Sequence, residues 1–341
     1  MTGTKSVASA PKPCSQITAW VGFSPVSRIR VSSMVLLGCQ SRMMRANFTG
    51  KPMHLLLGVV SAVILVFLTI ACGGPAAILG LIKLAFPATG KTFAPAFEWL
   101  VVCWSRGFTG WLSLFSPAIT VEREGQFSRT KNYLIIANHQ SWVDIFVLLI
   151  GTNRTIPSTR FFMKRELLWI PLVGFVAWSM DFPVMRRHSR EYLAKHPEKR
   201  GSDLATVRAA CAKFQQIPVS VVNFSEGTRS TVQKLAASKS QYTHILPPKA
   251  GGVATVLAAV GDHLDAAVDA TIHYPDGVPT FWQWMCGRAG RMHIHMKTVE
   301  LPEVGALNDN GQISAESRER VKRFLEQRWT EKDQRLGAPP A

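Results

Sequence analysis

The chain has 341 residues, of which 47% are hydrophobic and 18% are charged, and its formal net charge is +17 at pH 7. This apolar content is high for a purely soluble protein, and the length allows one large domain or two small ones. The six cysteines form no Cys-x-x-Cys pair, which argues against a disulfide or zinc scaffold and fits a reducing compartment.

The first 52 residues are basic, with seven Lys or Arg and no Asp or Glu. Three interpretations stay open: a real basic arm, an organelle-type targeting peptide, or a translation start placed too far upstream. Met53 opens directly onto an apolar stretch, as a short membrane anchor would, and this favours the last. Cationic residues before such a stretch predict a cytoplasmic N-terminus.

The apolar stretch predicts a membrane anchor. From Leu55 to Ile82 no residue is charged, which is long enough to cross a bilayer as a helix. We therefore expect a transmembrane anchor over residues 53–86 rather than a buried core helix. Residues 87–120 are rich in Trp and Leu but include Glu98 and Arg106. They predict an interfacial helical segment, with a hairpin in one leaflet as the alternative.

Strand and helix patterns alternate after the anchor. Strands are expected near 132–138, 219–224, 266–273 and 292–298. Helices are expected near 141–151, 203–216, 251–263 and 313–330. This alternation predicts an α/β domain, which we place at 121–335 with a short tail at 336–341. His293 and His295 fit alternation on a strand better than a metal site, and no metal is expected.

An imidazole precedes a carboxylate by five residues, directly after the first of these apolar runs. His139 and Asp144 lie about 140° apart on a regular helix and cannot meet there. They can meet if His139 occupies the turn and Asp144 the first helical turn. Ser141 with Asp144 three residues later indicates such a helix start, and Asp144 as a mere cap is the alternative. A His–Asp pair in contact can deprotonate a hydroxyl.

A second motif, Glu226-Gly227-Thr228-Arg229, follows the strand expected at 219–224. Its glycine lets the backbone approach a ligand, and its arginine can bind a phosphate in bidentate fashion. A third segment, from Leu246 to Gly252, contains Pro247 and Pro248 and precedes an apolar stretch. Each of these segments alone is also consistent with an ordinary turn.

In this order, the motifs resemble those of the glycerolipid acyltransferase family typified by 1-acylglycerol-3-phosphate O-acyltransferase. The family's first block is similar to the segment from Asn138 to Asp144, and its Glu-Gly-Thr-Arg block occurs unchanged. A further block is similar to the segment from Lys164 to Gly174. The resemblance covers about residues 95–335, and the chain looks most like a bacterial, membrane-bound branch of the family.

The resemblance implies a mixed sheet flanked by helices behind an N-terminal anchoring helix. It assigns catalysis to His139 and Asp144, and supporting roles to Asn138, Ser141 and Lys164. The residues implied in binding glycerol phosphate are Glu226, Gly227, Thr228, Arg229, Arg187 and Arg186. Pro247 and Pro248 would lie near the acyl or thioester end.

Two positions depart from the family pattern. The aromatic residue of the family's Phe-x-x-Arg block is Val184, so Arg187 is the better match and Arg186 the substitute. The proline that usually precedes Glu226 is Ser225. Neither change removes a residue assigned to the chemistry, but both leave the acceptor's identity open.

The resemblance implies an O-acyltransferase that moves a fatty acyl group from acyl-CoA or acyl-carrier protein to a lysophospholipid. The expected acceptor is 1-acylglycerol-3-phosphate, which would give phosphatidic acid, and another lysophospholipid, used in lipid remodelling, is the alternative. No cofactor is expected beyond that acyl donor. The partners are membrane lipids rather than nucleic acid, because the basic residues accompany an anchor and no nucleic-acid module. The expected location is the bacterial inner membrane, with the active domain on the cytoplasmic side.

Two other classes of function were weighed. A membrane-bound lipid esterase would need a serine nucleophile such as Ser225 or Ser230, but the sequence has no Gly-x-Ser-x-Gly elbow. A non-catalytic membrane scaffold is disfavoured because the charged motif residues are intact.

Overall fold

The structure is a computed structural model that describes residues 26–31, 51–117, 119–164, 169, 174, 184–185, 218–305 and 313–338. The strands in it are β1 (Val26–Val31), β2 (Ile119–Glu124), β3 (Tyr133–Ala137), β4 (Thr159–Phe161), β5 (Met163–Lys164), β6 (Val184–Met185), β7 (Ser220–Phe224), β8 (Ala266–His273) and β9 (Met292–Val299). The helices are α1 (Lys51–Ala85), α2 (Gly90–Leu112), α3 (Asp144–Thr152), α4 (Val232–Ser238), α5 (Ala250–Val260), α6 (Phe281–Met285) and α7 (Ala315–Gly337).

Seven strands form one mixed sheet in the order β1-β2-β9-β8-β3-β7-β4. The four adjacent strands β8, β3, β7 and β4 are parallel to one another. β9 is antiparallel to β8 and parallel to β2, and β1 is antiparallel to β2. β5 and β6 pair separately. The predicted fold class, an α/β domain with a mixed sheet, is confirmed.

Helices cover both faces of the sheet, which explains why β3 is apolar at every position. Tyr133 and Ile135 point into a core shared with α2, α3 and α6. Leu134 and Ile136 point into a second core shared with α5 and α7. All four side chains are buried, so β3 is covered on both faces.

Helix α1 is long and apolar enough to cross a membrane by length and composition, with a window of mean hydropathy 2.9 of which 11% is buried. That low burial distinguishes α1 from the core helix of a soluble protein. Its buried positions are small residues: Gly58, Ser61, Gly73, Ala76 and Gly80. Helix α2 packs along α1, with Phe97 and Leu100 against Ala76.

The first half of α1 is bonded to the sheet domain. The Ser61 hydroxyl donates to the carbonyl oxygen of Met285 at 2.9 Å, and the Trp111 indole donates to the Ser61 hydroxyl at 2.8 Å. Nδ1 of His54 lies 2.9 Å from the carbonyl oxygen of Cys286. Because Met285 ends α6, the apolar helix is fixed to the domain rather than tethered to it by a free linker.

The strands predicted at 132–138, 219–224, 266–273 and 292–298 are confirmed as β3, β7, β8 and β9. The helix predicted at 141–151 begins later, at Asp144, and the one at 251–263 ends in a 3-10 turn from residue 261. The helix predicted at 203–216 lies outside the described residues. Strands β1, β2, β4, β5 and β6 and helices α4 and α6 were not predicted. Of these, β4, β5, β6 and α6 have two to five residues, which is too few for a period to show.

Three predicted segment boundaries fall inside observed elements, and the first of them, between residues 52 and 53, lies within α1. The domain start at 121 cuts β2, and the basic extension of residues 1–52 contains β1, which pairs with β2. The tail placed at 336–341 begins within α7, which continues to Gly337 because the Leu336 side chain is buried against the core. The interfacial segment of residues 87–120 contains α2.

Candidate active site

Three strand ends meet at one edge of the sheet. β3 lies between β7 and β8, and all three are parallel. Their carboxyl ends therefore share an edge, where His139 follows β3, Glu226 follows β7 and Tyr274 follows β8. In open α/β sheets, ligands bind outside this edge.

The predicted contact between His139 and Asp144 is present. Nδ1 of His139 lies 2.8 Å from Oδ2 of Asp144, with His139 in the turn after β3 and Asp144 as the first residue of α3. The Asp144 side chain is fully buried, whereas that of His139 is 16% exposed. A carboxylate that accepts from Nδ1 fixes the imidazole tautomer and leaves Nε2 to accept a proton.

Further donors hold the Asp144 carboxylate. The main-chain N–H groups of Gln140 and Ser141 donate to Oδ2 at 2.6 and 2.9 Å, and the Tyr274 hydroxyl donates to Oδ1 at 2.5 Å. Burial, followed by the negative charge of Asp144 and the bond to it, raises the pKa of Tyr274 well above its usual value. Tyr274 therefore stays protonated and remains a donor. The sequence analysis missed Tyr274, although its place directly after a predicted strand was a usable signal.

Ser141 stabilises the turn that precedes α3. Its main-chain N–H donates to Asp144, and its hydroxyl accepts from the Val143 N–H at 3.2 Å, two residues further on. The helix N-cap predicted at Ser141 is observed at Val143. The helix begins at Asp144 rather than directly after Ser141, and Val143 at its N-cap makes no side-chain cap bond. The Ser141 hydroxyl also donates to the carbonyl oxygen of Pro279 at 2.6 Å, which ties the turn to the segment before α6.

Asn138 fixes the same turn to β8. Its side-chain amide donates to the carbonyl oxygen of Ile272 at 2.9 Å and accepts from the Ile272 N–H at 2.8 Å. Asn138 is fully buried, so these bonds do not compete with water. The residue before His139 is therefore locked to the neighbouring strand.

The loop after β7 forms hydrogen bonds to both the N–H and the carbonyl oxygen of His139. The His139 N–H donates to Oε1 of Glu226 at 2.9 Å, and the Ser230 N–H donates to the carbonyl oxygen of His139 at 2.7 Å. The Phe224 ring stacks on the imidazole, with 4.1 Å between ring centres. This loop contains the Glu-Gly-Thr-Arg motif, so that motif orients the histidine through main-chain bonds.

Glu226 is only 1% exposed, and its carboxyl group faces the His139 main chain rather than solvent. Burial raises the pKa of Glu226 to about 8. Hydrogen bonds from the main chain of His139 and Leu246 oppose this shift, the charge of Asp144 adds to it, and the charge of Lys332 opposes it. In this arrangement Glu226 positions the histidine. The acceptor-binding role that the resemblance implies for it stays a prediction.

Gly227 makes the turn of this motif possible. Its φ is +71°, in the left-handed region that favours glycine, and its N–H donates to the carbonyl oxygen of Phe224 at 2.9 Å. A side chain at this position would strain the backbone that carries Glu226 and Arg229.

Arg229 and Lys234 form an exposed basic rim beside the histidine turn. The guanidinium carbon of Arg229 lies 5.0 Å from the centre of the Trp142 ring, and both side chains are exposed. Lys234 donates to the Thr228 hydroxyl at 2.6 Å and to the carbonyl oxygen of Arg229 at 3.0 Å. Sequence analysis missed Lys234 because α4 was not predicted. Two cations at one opening suit an anionic group such as a phosphate.

Pro247 and Pro248 lie next to this edge of the sheet. The N–H of Lys249 donates to the carbonyl oxygen of Ser225 at 2.7 Å, which joins the proline segment to the end of β7. Both prolines line a cavity of about 390 Å³, whose other lining residues include Tyr242, Lys322, Leu325 and Glu326. The prediction that these prolines contact the acyl end of a substrate stays a prediction.

Other predicted site residues lie at the border of the described chain. The backbone of Lys164 belongs to β5, which pairs with β6 at Val184 and Met185. Arg186 and Arg187 lie outside the described residues, so their proposed contact with phosphate stays a prediction.

The described residues place no serine hydroxyl on the His139 ring. Ser225 is buried, and its hydroxyl donates to Oδ1 of Asn223 at 3.2 Å. Ser230 contacts His139 through its main chain. In the described part of the chain, no group of three or more His, Cys, Asp or Glu is suited to hold a metal ion.

Comparison with known proteins locates a family domain over this site. Residues 118–274 match the family model described as Acyltransferase. The range covers β2 to β8 and contains His139, Asp144, Glu226 and Tyr274. The resemblance stated from the motifs is thereby confirmed.

Two curated relatives match over about 60% of this chain. One is 1-acyl-sn-glycerol-3-phosphate acyltransferase epsilon of Mus musculus, 26% identical over 228 residues, and the other is 1-acyl-sn-glycerol-3-phosphate acyltransferase 3 of Arabidopsis thaliana, 24% identical over 226 residues. The match spans 57% of the mouse protein and 56% of the plant protein, so the chain covers little more than half of their length.

A solved structure was also found, that of the 1-acyl-sn-glycerophosphate (LPA) acyltransferase PlsC from Thermotoga maritima. The match covers 88% of this chain and 99% of that one, with 20% sequence identity and a TM-score of 0.45. Similarity at this level carries no argument about function.

Proposed function

We propose that this chain, which carries a domain of the Acyltransferase family, is a membrane-bound O-acyltransferase. It transfers a fatty acyl group from acyl-CoA or acyl-carrier protein to the free hydroxyl of a lysophospholipid. The acceptor is 1-acylglycerol-3-phosphate, and the product is phosphatidic acid. The observation that carries the proposal is the His139–Asp144 pair at 2.8 Å beside an exposed basic rim.

In the proposed mechanism His139 is the general base. Nε2 removes the proton from the acceptor hydroxyl, whose oxygen attacks the thioester carbonyl carbon. The carbon–sulfur bond then breaks, and the proton held by His139 passes to the leaving thiolate. The acceptor oxygen is itself the nucleophile, so no acyl-enzyme forms and no serine is required.

Asp144 stabilises the imidazolium that forms during this transfer. The described structure surrounds its carboxylate with donors from His139, Gln140, Ser141 and Tyr274. Those bonds exist before any substrate binds, and little reorganisation is needed as charge develops on His139.

Arg229 binds the acceptor phosphate, and Lys234 supports it. Arg229 is exposed and stacked against Trp142, which restricts the guanidinium without using its hydrogen-bond donors. By resemblance, Arg187 or Arg186 supplies a further cation. Gly227 keeps the backbone of this loop close to the phosphate.

Helix α1 places the site at the membrane surface. Its bonds to Met285 and Cys286 fix it to α6, and the segment before α6 bonds Ser141 beside the catalytic histidine. A lysophospholipid can then reach His139 while its acyl chain stays in the bilayer. We propose the bacterial inner membrane as the location, with the site on the cytoplasmic side.

The test is product analysis by lipid mass spectrometry. Membranes containing the full chain are offered matched acceptors, 1-acylglycerol-3-phosphate and monoacylglycerol, with either acyl-CoA or acyl-carrier protein as donor. The proposal predicts phosphatidic acid that depends on the phosphorylated acceptor. Free fatty acid released equally without acceptor would support the esterase instead, and absence of any product with either donor would reject the proposal.

A further inference from the structure

Helix α7 lies outside the matched family range, yet it sends one charged side chain into the centre of the domain. Lys332 is 1% exposed. Its ammonium group donates to the carbonyl oxygen of Ala270 at 2.7 Å and to that of Ile136 at 3.3 Å, and it lies near the Thr271 hydroxyl at 3.5 Å. It also forms an ion pair with Asp269.

These contacts lie directly behind the candidate active site. Ile136 is three residues before His139 on β3, and Ala270 is four residues before Tyr274 on β8. One ammonium group therefore bonds both strands whose ends carry the catalytic turn and the tyrosine that holds Asp144. A shift of β3 relative to β8 would displace Tyr274 from Asp144 and break the bonds of Asn138 to Ile272.

Charge is a second link between Lys332 and the site. The buried carboxyl groups there belong to Asp144, Glu226 and Asp269. Burial lowers the pKa of Lys332, whereas Asp269 and, to a smaller extent, Glu226 raise it, and neighbouring Arg328 lowers it. Lys332 in turn lowers the pKa of Glu226, the residue that accepts the His139 N–H.

We propose that Lys332 is a positioning residue for the acyl-transfer site. It bonds the ends of β3 and β8 to each other and balances the negative charge behind His139. The inference rests on the proposed function. It adds that the C-terminal helix, although outside the family range, is part of the active domain.

The test uses Lys332→Met, Asp269→Asn and the double variant, with Arg323→Met as the matched control, because it removes a cation from the exposed side of α7. Removing Lys332 alone leaves Asp269 as an unpaired buried charge and is expected to destabilise the fold strongly. The double variant removes both charges and isolates the positioning role. Two quantities are measured on the full chain: the kcat and KM of acyl transfer, and the dependence of Tm on pH.

The expected result is a folded double variant whose kcat falls about tenfold with KM unchanged. In the plot of Tm against pH, the inflection near pH 8 is assigned to Glu226 because it is lost in Glu226→Gln. This inflection shifts in opposite directions in the double variant and in Asp269→Asn. It moves up in the double variant, because a cation near Glu226 is lost, and down in Asp269→Asn, because the charge of Lys332 is no longer offset. Each shift is on the order of one pH unit. Arg323→Met changes neither quantity.

A folded double variant with wild-type kcat and an unmoved inflection would show that Lys332 only fills space, and would overturn the proposal. If the double variant does not fold, the test rests on Asp269→Asn, and an unmoved Tm inflection in that variant also overturns the proposal. The Tm readout requires no turnover. A wild-type chain that transfers no acyl group therefore rejects the proposed function without deciding the role of Lys332.

Discussion

The two sides of the candidate site differ in how far they are organised before substrate arrives. The buried wall consists of His139, Asp144, Glu226 and Tyr274, which are joined by hydrogen bonds of 2.5 to 2.9 Å. The exposed rim consists of Trp142, Thr228, Arg229 and Lys234, whose cations face solvent. A fixed base beside accessible cations suggests a division of labour. On the proposed function, we expect the wall to determine the rate of chemistry and the rim to determine the affinity for the acceptor.

The largest effect in this group is expected from Asp144→Asn. A neutral amide cannot balance the imidazolium and can present an N–H to Nδ1, which favours the wrong tautomer. We predict that kcat for acyl transfer falls by about 10²-fold to 10⁴-fold while KM is retained. The control is Asp265→Asn, which makes the same change at the opposite end of β3, where Asp265 accepts the Asn132 N–H at 2.7 Å. Equal losses in both variants would mean that the effect is not specific to the wall.

Arg229→Ala is the complementary change on the rim. Loss of a charge-assisted bond to phosphate is expected to raise KM for 1-acylglycerol-3-phosphate by about 10-fold to 100-fold. The kcat is expected to stay near wild type, and monoacylglycerol should be used no worse than before. Arg318→Ala, at an exposed position of α7, serves as the control. A fall in kcat at constant KM would contradict the division between wall and rim.

Tyr274→Phe tests whether the wall acts as a unit. It removes the donor to Oδ1 of Asp144 without changing the size of the ring. We expect kcat to fall about tenfold at constant KM, and to fall no further when Tyr274→Phe is added to Asp144→Asn. Tyr133→Phe also removes a buried hydroxyl, which accepts the Ser128 N–H at 2.9 Å, and is expected to leave kcat unchanged. Additive losses in the double variant would show that Tyr274 does not act through Asp144.

Glu226→Gln has the smallest expected effect, and it concerns stability. The pKa of Glu226 is about 8 in the folded chain, against an ordinary value of 4.5. The folded state therefore holds this proton more tightly, and the resulting stability is lost as the pH rises through about 8. We predict that Tm falls less between pH 6 and pH 9 in Glu226→Gln than in the wild type. Parallel Tm curves would contradict the raised pKa.

Local sequence was sufficient for the central strands and for the His139–Asp144 contact. β3, β7 and β8 are runs of apolar residues, and a spacing of five residues leaves few geometries in which the two side chains meet. Local sequence was not sufficient for Tyr274, because the contact of Tyr274 with Asp144 depends on the long-range pairing of β8 with β3. Lys332 was missed for a related reason. A lysine in a helix rich in charged residues normally faces solvent, and only the packing of α7 against β3 and β8 buries it.

The central claim is that His139 is the base for acyl transfer, and His139→Ala tests it most directly. Turnover of 1-acylglycerol-3-phosphate is measured in membranes that contain equal amounts of variant and wild-type protein. The account predicts that kcat falls by about 10²-fold to 10⁴-fold, with KM for the acceptor and membrane association preserved. Near wild-type kcat in His139→Ala would contradict it.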